Sequence, residues 1–363
     1  METAREKALS SLTLAERGFR LPAEWERHAA TWIAWPHEQA DWPGKFGLIP
    51  WVYAEIVRAL VRSETVNILV RDSGMQREVK KILKWVGAEM KQVQFFTVPT
   101  DRVWTRDSGP LIVVDPSGDR VATHWKFNGW AKYANHGHDQ AVGNAIGEAQ
   151  HLPVHSVEVN GRWIVLEGGA IDVDGEGTLI TTEECLLSNT QARNPGFSRE
   201  QIEAIFTDTL GIKRVVWLEK GIVGDDTHGH VDDVARFVAP GRVLLCQEAF
   251  AGDENYHLLA ENRERLEMAR DAAGRTLEVI NLPMPGPICF KGQRLPASYA
   301  NFYIGNRVVL VPTFNDPMDR HALGIIAECF PGREVIGIHC MDMVWGLGTI
   351  HCATMQEPAA WPR

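Results

Sequence analysis

The chain has 363 residues, 45% of them hydrophobic and 23% charged, with a net charge of −10 at pH 7. That hydrophobic share is enough for a core without disulfide staples and is ordinary for a soluble globular protein. The acidity argues against nucleic-acid binding through a broad basic surface and is compatible with a small cationic substrate.

Apolar runs and turn residues divide the chain into recurring units. A first, variant unit reads as a strand at 31–36, a helix at 51–62, a strand at 65–70, a helix at 75–87 and a strand at 92–98. After Asp107, strands are predicted at 110–114 and 121–127, a helix at 140–150 and a strand at 153–157. After Glu167 come strands at 170–173 and 178–182, a helix at 198–210 and a strand at 214–217. Ser198 followed by Gln201 has the form of a helix N-cap with a capping box. From His230, strands at 233–238 and 242–246 precede a helix at 256–273 and a strand at 277–282. A last full unit has strands at 299–304 and 308–312, a helix at 320–330 and a strand at 334–338. Gly305-Asn306 suits the hairpin turn within it. A final strand at 349–354 would complete the first unit.

The order strand, strand, helix, strand therefore repeats. Asp107 and Glu167 are 60 residues apart, and Glu167 and His230 are 63 apart. Each opens a unit at the same place. Equivalent positions in repeats arranged about an axis would face one another across the centre, and five such units closing into a ring would make a propeller of mixed α/β blades. The fold class expected is thus α/β, as one catalytic domain over 1–363.

No apolar run reaches the length of a membrane span. Residues 1–6 lack the basic and apolar regions of a signal peptide, so the cytoplasm is the expected location, away from membranes. Cys185, Cys246, Cys289, Cys329, Cys340 and Cys352 form no CxxC pair, which gives zinc and iron–sulfur sites little support. A reducing compartment suits six unpaired thiols, most of them in apolar stretches read as core. Trp42 and Trp51 are read as surface residues available to an interface between copies of the chain.

Cys352 stands in Gly346-Leu347-Gly348-Thr349-Ile350-His351-Cys352, after a glycine-bearing loop and a short apolar strand. A thiol attacks as thiolate, so it needs a cation or base nearby. His230 and Asp232 belong to Gly229-His230-Val231-Asp232-Asp233. If that segment is extended, side chains two apart share a face and point into one cavity. His228, His230 and Asp232 are also metal-ligand types, which leaves a metal reading open. Asp107 lies in a turn, Trp104-Thr105-Arg106-Asp107-Ser108-Gly109-Pro110, where Arg106 is free to satisfy other backbone or carboxylate groups. Glu167 ends a predicted strand in Leu166-Glu167-Gly168-Gly169.

A thiolate, a histidine and three carboxylates suffice to attack a guanidinium carbon. Guanidinium is planar, and two carboxylates can fork onto its N–H edges. In this reading Asp107 and Asp232 clamp the cation, Cys352 attacks from above the plane, His230 serves as acid and base, and Glu167 orients it.

These motifs resemble the agmatine deiminase family, the Porphyromonas-type peptidylarginine deiminases of the guanidine-modifying superfamily. The resemblance starts at Leu21-Pro22-Ala23-Glu24-Trp25-Glu26 and runs through Thr31–His37, Trp104–Pro110, Phe127–Trp130, Leu166–Gly169, Gly224–Thr227, Gly229–Asp233, Leu295–Tyr299, Asn301-Phe302 and Pro312–Pro317 to Ile350-His351-Cys352. It implies a fivefold pseudosymmetric α/β propeller of ββαβ-type repeats, the pentein fold. It also implies a covalent thiouronium on Cys352, guanidinium binding by Asp107 and Asp232, Glu167 and His230 as paired acid and base, and no metal or organic cofactor. One departure is Gly346-Leu347-Gly348-Thr349, where many members carry a glycine-rich run ending in Asn; that loop shapes the pocket and bears on substrate choice. Trp104 and Asp226 are expected to contact the substrate's chain or far amine. The leading expectation is hydrolysis of agmatine to N-carbamoylputrescine and ammonia. The alternatives are deimination of free or peptidyl arginine or another alkylguanidine, amidine transfer, and a non-catalytic cation-binding protein.

Overall fold

Five sheets of three or four strands organise residues 12–360, those described by the computed structural model of the chain. After Asp107, Leu111–Val114 pairs antiparallel with Arg120–His124, which pairs parallel with Val154–Ser156. A parallel neighbour requires a crossover, and the helix Asp139–Ala149 supplies it. The plan recurs with Asp172–Val173, Thr178–Thr182 and Arg214–Leu218 around the helix Arg199–Leu210. It recurs again with Ala235–Ala239, Arg242–Gln247 and Glu278–Pro283 around Asn255–Met268. The last full copy has Tyr303–Ile304, Val308–Thr313 and Glu334–His339 around Asp319–Cys329.

The remaining sheet joins the two ends of the chain. Met355–Pro358 runs antiparallel to His28–Ala34, which lies parallel to Thr65–Val70, itself parallel to Val93–Thr97. The predicted ββαβ order is therefore present in each unit, with the closing strand supplied from the far end of the sequence.

Local chemistry explains the element ends. The Ser198 backbone N–H donates to Gln201 Oε1 at 2.8 Å, and the Gln201 N–H donates to Ser198 Oγ at 3.3 Å, which is the expected capping box. Gly211, at φ 72°, ends that helix in the left-handed region where a Cβ would be strained. Gly305 donates to the Val308 carbonyl at 2.8 Å, closing the predicted hairpin.

Several expected elements are shorter or displaced. Residues 349–354 form turns rather than a strand, because their backbone and hydroxyls are spent locally. Ala353 N–H bonds the Thr349 carbonyl at 3.2 Å, and Thr354 Oγ1 donates to Ile350 O at 2.9 Å. The strand that completes the first sheet starts only at Met355. The strand expected over 299–304 is confined to Tyr303–Ile304, since Asn301 N–H turns back to Ser298 O and Arg236 takes the carbonyls of Ala300 and Phe302. The helix expected to run to 273 stops at Met268, where an Arg270–Thr276 bridge redirects the chain.

The core is aromatic and aliphatic, with Trp32, Tyr53, Phe237, Tyr299, Phe302 and Tyr303 almost wholly enclosed. Trp42, read as a surface residue, is fully buried and donates its indole N–H to the Met343 carbonyl at 2.8 Å; Trp51 does reach solvent. Four of the six cysteines are buried, in keeping with a mostly core reading, while Cys289 is exposed and Cys329 half-buried.

A charged hub is also enclosed. Glu24 meets Arg236 at 3.0 Å, Arg106 at 3.1 Å and His351 at 2.8 Å, and accepts the Ile304 N–H at 2.8 Å. Burial alone would raise this carboxyl, but Arg236, His351 and Arg106 hold it well below the usual range. One residue of the N-terminal segment thus ties together groups that flank four of the five sheets.

Candidate active site

The chemistry-bearing residues share one position in the repeat, immediately before the first strand of a unit. Asp107 precedes Leu111–Val114, Glu167 precedes Asp172–Val173, His230 and Asp232 precede Ala235–Ala239, and Cys352 precedes Met355–Pro358. Asn301, before Tyr303–Ile304, holds the same position in the remaining unit. The repeat itself carried the signal for Asn301, which reading by residue type alone passed over.

Asp107 sits in a single helical turn, Thr105–Ser108, rather than an open turn. Its Oδ1 accepts the Gly169 N–H at 3.1 Å and its Oδ2 accepts the Trp130 indole N–H at 2.9 Å. Its neighbour Arg106 serves Glu24 and Gln356, a structural task of the kind expected.

His230 and Asp232 do not lie on an extended segment. Val231–Asp233 is a 3-10 turn entered through His230. The loop before it is bent by His228 at φ 66° and Gly229 at φ 95°. Asp225 Oδ2 pins it by accepting the N–H groups of Gly229 at 2.7 Å and His230 at 3.0 Å. The two side chains nevertheless converge. A Cβ on Gly169 would fall 2.6 Å from His230 Nδ1, 2.9 Å from Asp107 Oδ1 and 3.1 Å from Asp232 Oδ2. Only glycine fits there.

Glu167 is fully buried, and its main partner is Arg193, whose Nε donates at 3.0 Å and 3.3 Å to the two carboxylate oxygens. Arg193 also donates to the carbonyls of Gln191 and Thr227. Glu167 Oε2 is 3.8 Å from His230 Nε2, and Asp107 Oδ1 is 3.8 Å from His230 Nδ1. Both lengths exceed a hydrogen bond. The imidazole therefore stands between two carboxylates without a hydrogen bond to either.

Cys352 Sγ accepts from Asn301 Nδ2 at 3.1 Å and lies 3.6 Å from Asp232 Oδ2. Asn301 Nδ2 also donates to Asp233 Oδ1 at 3.0 Å, while its Oδ1 accepts from Thr349 Oγ1 and the His351 N–H. Asp232 Oδ2 is bonded to His351 Nδ1 at 2.7 Å, and His351 Nε2 continues to Glu24 at 2.8 Å.

Negative charge dominates this enclosure. Burial raises Asp107 to about 6, with Asp232 and Glu167 adding to the rise and His230 opposing it. Burial would also raise Glu167, but Arg193 and His230 bring it down to about 2. Burial, Asp232, Asp233 and Asp107 all push the Cys352 thiol well above its ordinary range. Burial and these carboxylates thus oppose the thiolate that the sequence reading requires. For His230, burial favours the neutral ring, but Asp107 and contacts with Cys185 and Glu167 outweigh it and raise the imidazole. Asp232 Oδ1 and both His230 nitrogens are buried without a hydrogen-bond partner.

A small cleft of about 30 Å³ adjoins Cys352, lined by Asp107, Trp104, Trp130, Tyr133, Asp226 and Leu347, among others. Trp104 and Asp226 thus share the cleft with Cys352. Asp226 is held by the Lys132 ammonium and by Tyr133 Oη at 2.6 Å. Arg102, also at the cleft, is paired with Asp41 at 2.6 Å and lies over the Tyr133 ring. Gly348 packs against Trp104 and Cys352, where a Cβ would come 2.8 Å from the indole.

The metal reading took His228, His230 and Asp232 together. His228 instead faces Ser188 at 3.2 Å and Glu184. The described metal-ligand types that do cluster are Glu167, Cys185 and His230.

The chain belongs to the Porphyromonas-type peptidyl-arginine deiminase family, whose pattern it matches over residues 20–358. It is 35% identical over 380 residues to an agmatine deiminase from Stutzerimonas stutzeri, an alignment covering 98% of this chain and 100% of the other. It is 35% identical over 367 residues to one from Pseudomonas fluorescens, covering 94% and 96%. The solved structure of agmatine deiminase from Enterococcus faecalis superposes with a TM-score of 0.86 at 31% identity, covering 96% of this chain and 98% of that one. The α/β fold is therefore that of these deiminases. No helix among the described residues is long and apolar enough to cross a membrane.

Proposed function

We propose that this chain hydrolyses agmatine to N-carbamoylputrescine and ammonia, as a single catalytic domain whose five units close around the site as a propeller. The observation that carries the reading is the unmatched polar set beside the cleft residues Asp107 and Cys352: Asp232 Oδ1 and both His230 nitrogens, buried and unbonded. Buried polar atoms left unpaired cost stability unless a ligand completes them. A guanidinium fits in charge and shape, since carboxylates on either side can each accept from an N–H edge.

Binding this cation changes the thiol. The carboxylates that hold the Cys352 proton in place are neutralised, and the guanidinium carbon lies in reach of the sulfur. The thiol gives up that proton to solvent as the cation enters, and the resulting thiolate adds to the carbon, forming a C–S bond while the C=N pair moves onto nitrogen. His230, carrying a proton, delivers it to the departing nitrogen, and ammonia leaves a thiouronium on Cys352. Water then attacks the same carbon, His230 takes its proton, and the C–S bond breaks to release the ureido product. Arg193 and Glu167 hold the charge around the imidazole. No step requires a metal or organic cofactor.

Agmatine is preferred to arginine in this reading because of the cleft. Asp226 lines the cleft and can offer the far amine a carboxylate that it now shares with Lys132, and Arg102, a cleft cation that could meet an α-carboxylate, is paired with Asp41. Trp104 and Trp130 flank the aliphatic part. Ammonia release from agmatine, free arginine and a blocked arginine peptide tests the assignment. The expected order places agmatine first by at least tenfold in kcat/KM; turnover of arginine at an equal rate overturns it.

A further inference from the structure

Cys185 takes no part in the reaction proposed above, yet it is fully buried against its centre. Its sulfur, a Glu167 carboxylate oxygen and a His230 ring nitrogen all lie within 4.8 Å of one another. These are soft, borderline and hard donors of the kind a catalytic-type zinc site combines, and three protein ligands leave a fourth position open.

Three observations point to a ligand at this spot. Both His230 nitrogens are buried and lack a hydrogen-bond partner. Nε2 faces Glu167, while Nδ1 faces Asp107 Oδ1 at 3.8 Å. A carboxylate behind the far ring nitrogen is the outer arrangement that orients a metal-bound histidine. The cysteine is also placed rigidly. It lies in the turn Glu183–Leu186, where Thr182 Oγ1 accepts the Cys185 N–H at 3.0 Å and donates to the Gly229 carbonyl at 2.5 Å. One hydroxyl thus fastens Cys185 to the residue preceding His230.

We propose that Glu167, Cys185 and His230 form a site for a thiophilic divalent cation such as zinc, and that its occupation inhibits the enzyme. The charge balance favours it: Asp107 and Asp232 stand beside the cluster, and Arg193, bonded to Glu167 through Nε, is the cation opposing it. Binding displaces the proton of the thiol and one proton of the His230 ring, two in all, and takes the imidazole lone pair that would accept a proton from water. The inhibition rests on the assignment of His230 as acid and base; the binding does not.

The test therefore reads binding first. Zinc is titrated calorimetrically into the full chain, its Cys352→Ser variant and its Cys185→Ser variant, with Cys185→Ala as a second replacement and thermal melting as a check of folding. One zinc per chain is expected for the wild type and Cys352→Ser, weakened at least tenfold in both Cys185 variants. Cobalt in the Cys352→Ser protein should give a thiolate-to-metal absorption band that a folded Cys185 variant loses. Equal zinc affinity in the Cys185 variants, or loss of binding in Cys352→Ser, overturns the site. Should the Cys185 variants not fold, the cobalt band in Cys352→Ser decides: its absence, or a His230→Asn change that leaves band and affinity untouched, counts against the site. Retained binding with no loss of ammonia release refutes inhibition alone and returns the fault to the role given to His230.

Discussion

Cys352 Sγ lies 3.6 Å from Asp232 Oδ2, so the proposed nucleophile and a carboxylate proposed to bind the substrate occupy one enclosed space. Each makes the other's charged form more costly until a cation enters. Activation of the thiol and recognition of the substrate are then a single electrostatic event.

The pH dependence should expose this. Asp107 has its folded value raised to about 6, so it is increasingly protonated below that and cannot hold the guanidinium. We expect kcat/KM to fall with a slope of about one log unit per pH unit below pH 6, since that ratio follows the free enzyme. A bound cation favours the carboxylate, so the acid limb of kcat should lie lower. Initial rates of ammonia release across pH 4.5–9 measure both limbs.

Alkylation rates should separate charge from accessibility. Burial and the nearby carboxylates keep the Cys352 thiol protonated, so neutral iodoacetamide should label it slowly at neutral pH. A haloacetamidine brings its own positive charge and should react at least tenfold faster, with the label on Cys352 by peptide mapping. Equal rates would mean that the bound charge does not activate the sulfur.

Glu167→Gln should damage the fold as well as the reaction. The change leaves the Arg193 guanidinium buried without its carboxylate, a loss of about 3–5 kcal/mol. The Glu167 carboxyl is lowered to about 2, below its unfolded value. Its stabilising effect is therefore complete above the unfolded value and disappears as pH falls towards 2. Urea unfolding at pH 7 and pH 4 checks both statements, with the wild type losing part of its margin over the variant at the lower pH.

Asn301→Ala removes the hydrogen-bond donor that meets Cys352 Sγ among the described residues and releases the loop that carries Thr349 and His351. A drop of about a hundredfold in kcat with a smaller change in KM is expected, as for a lost positioning donor. Steady-state kinetics on the purified variant provide the check.

How far these features were legible in the sequence depends on range. Hydrophobic period and turn chemistry mark strand and helix locally, so Thr65–Val70 and Thr178–Thr182 fall where they were expected, and the Ser198 cap was visible as a motif. Asp107, Glu167, His230 and Cys352 stood out by residue type and repeat spacing. Arg193, Glu24 and Cys185 did not, because their importance lies in partners far along the chain: Glu24 meets His351 across 327 positions. The strand misplaced onto 349–354 fails for the same reason. Its apolar residues are buried by packing around the site, and Asn301 on another unit holds its backbone. The thiol's charge state was equally hidden, since it is set by burial and by Asp232, Asp233 and Asp107 together.

The central claim is a covalent bond between Cys352 and the guanidinium carbon. Rapid acid quench of the enzyme with excess agmatine, followed by mass analysis of the Cys352 peptide, measures it directly. The account predicts an adduct with the mass of agmatine less ammonia, present on Cys352 within the first turnover and absent from Cys352→Ser, which should bind agmatine without releasing ammonia. Continued ammonia release by the Cys352→Ser protein, with no adduct on the wild-type peptide, would contradict it.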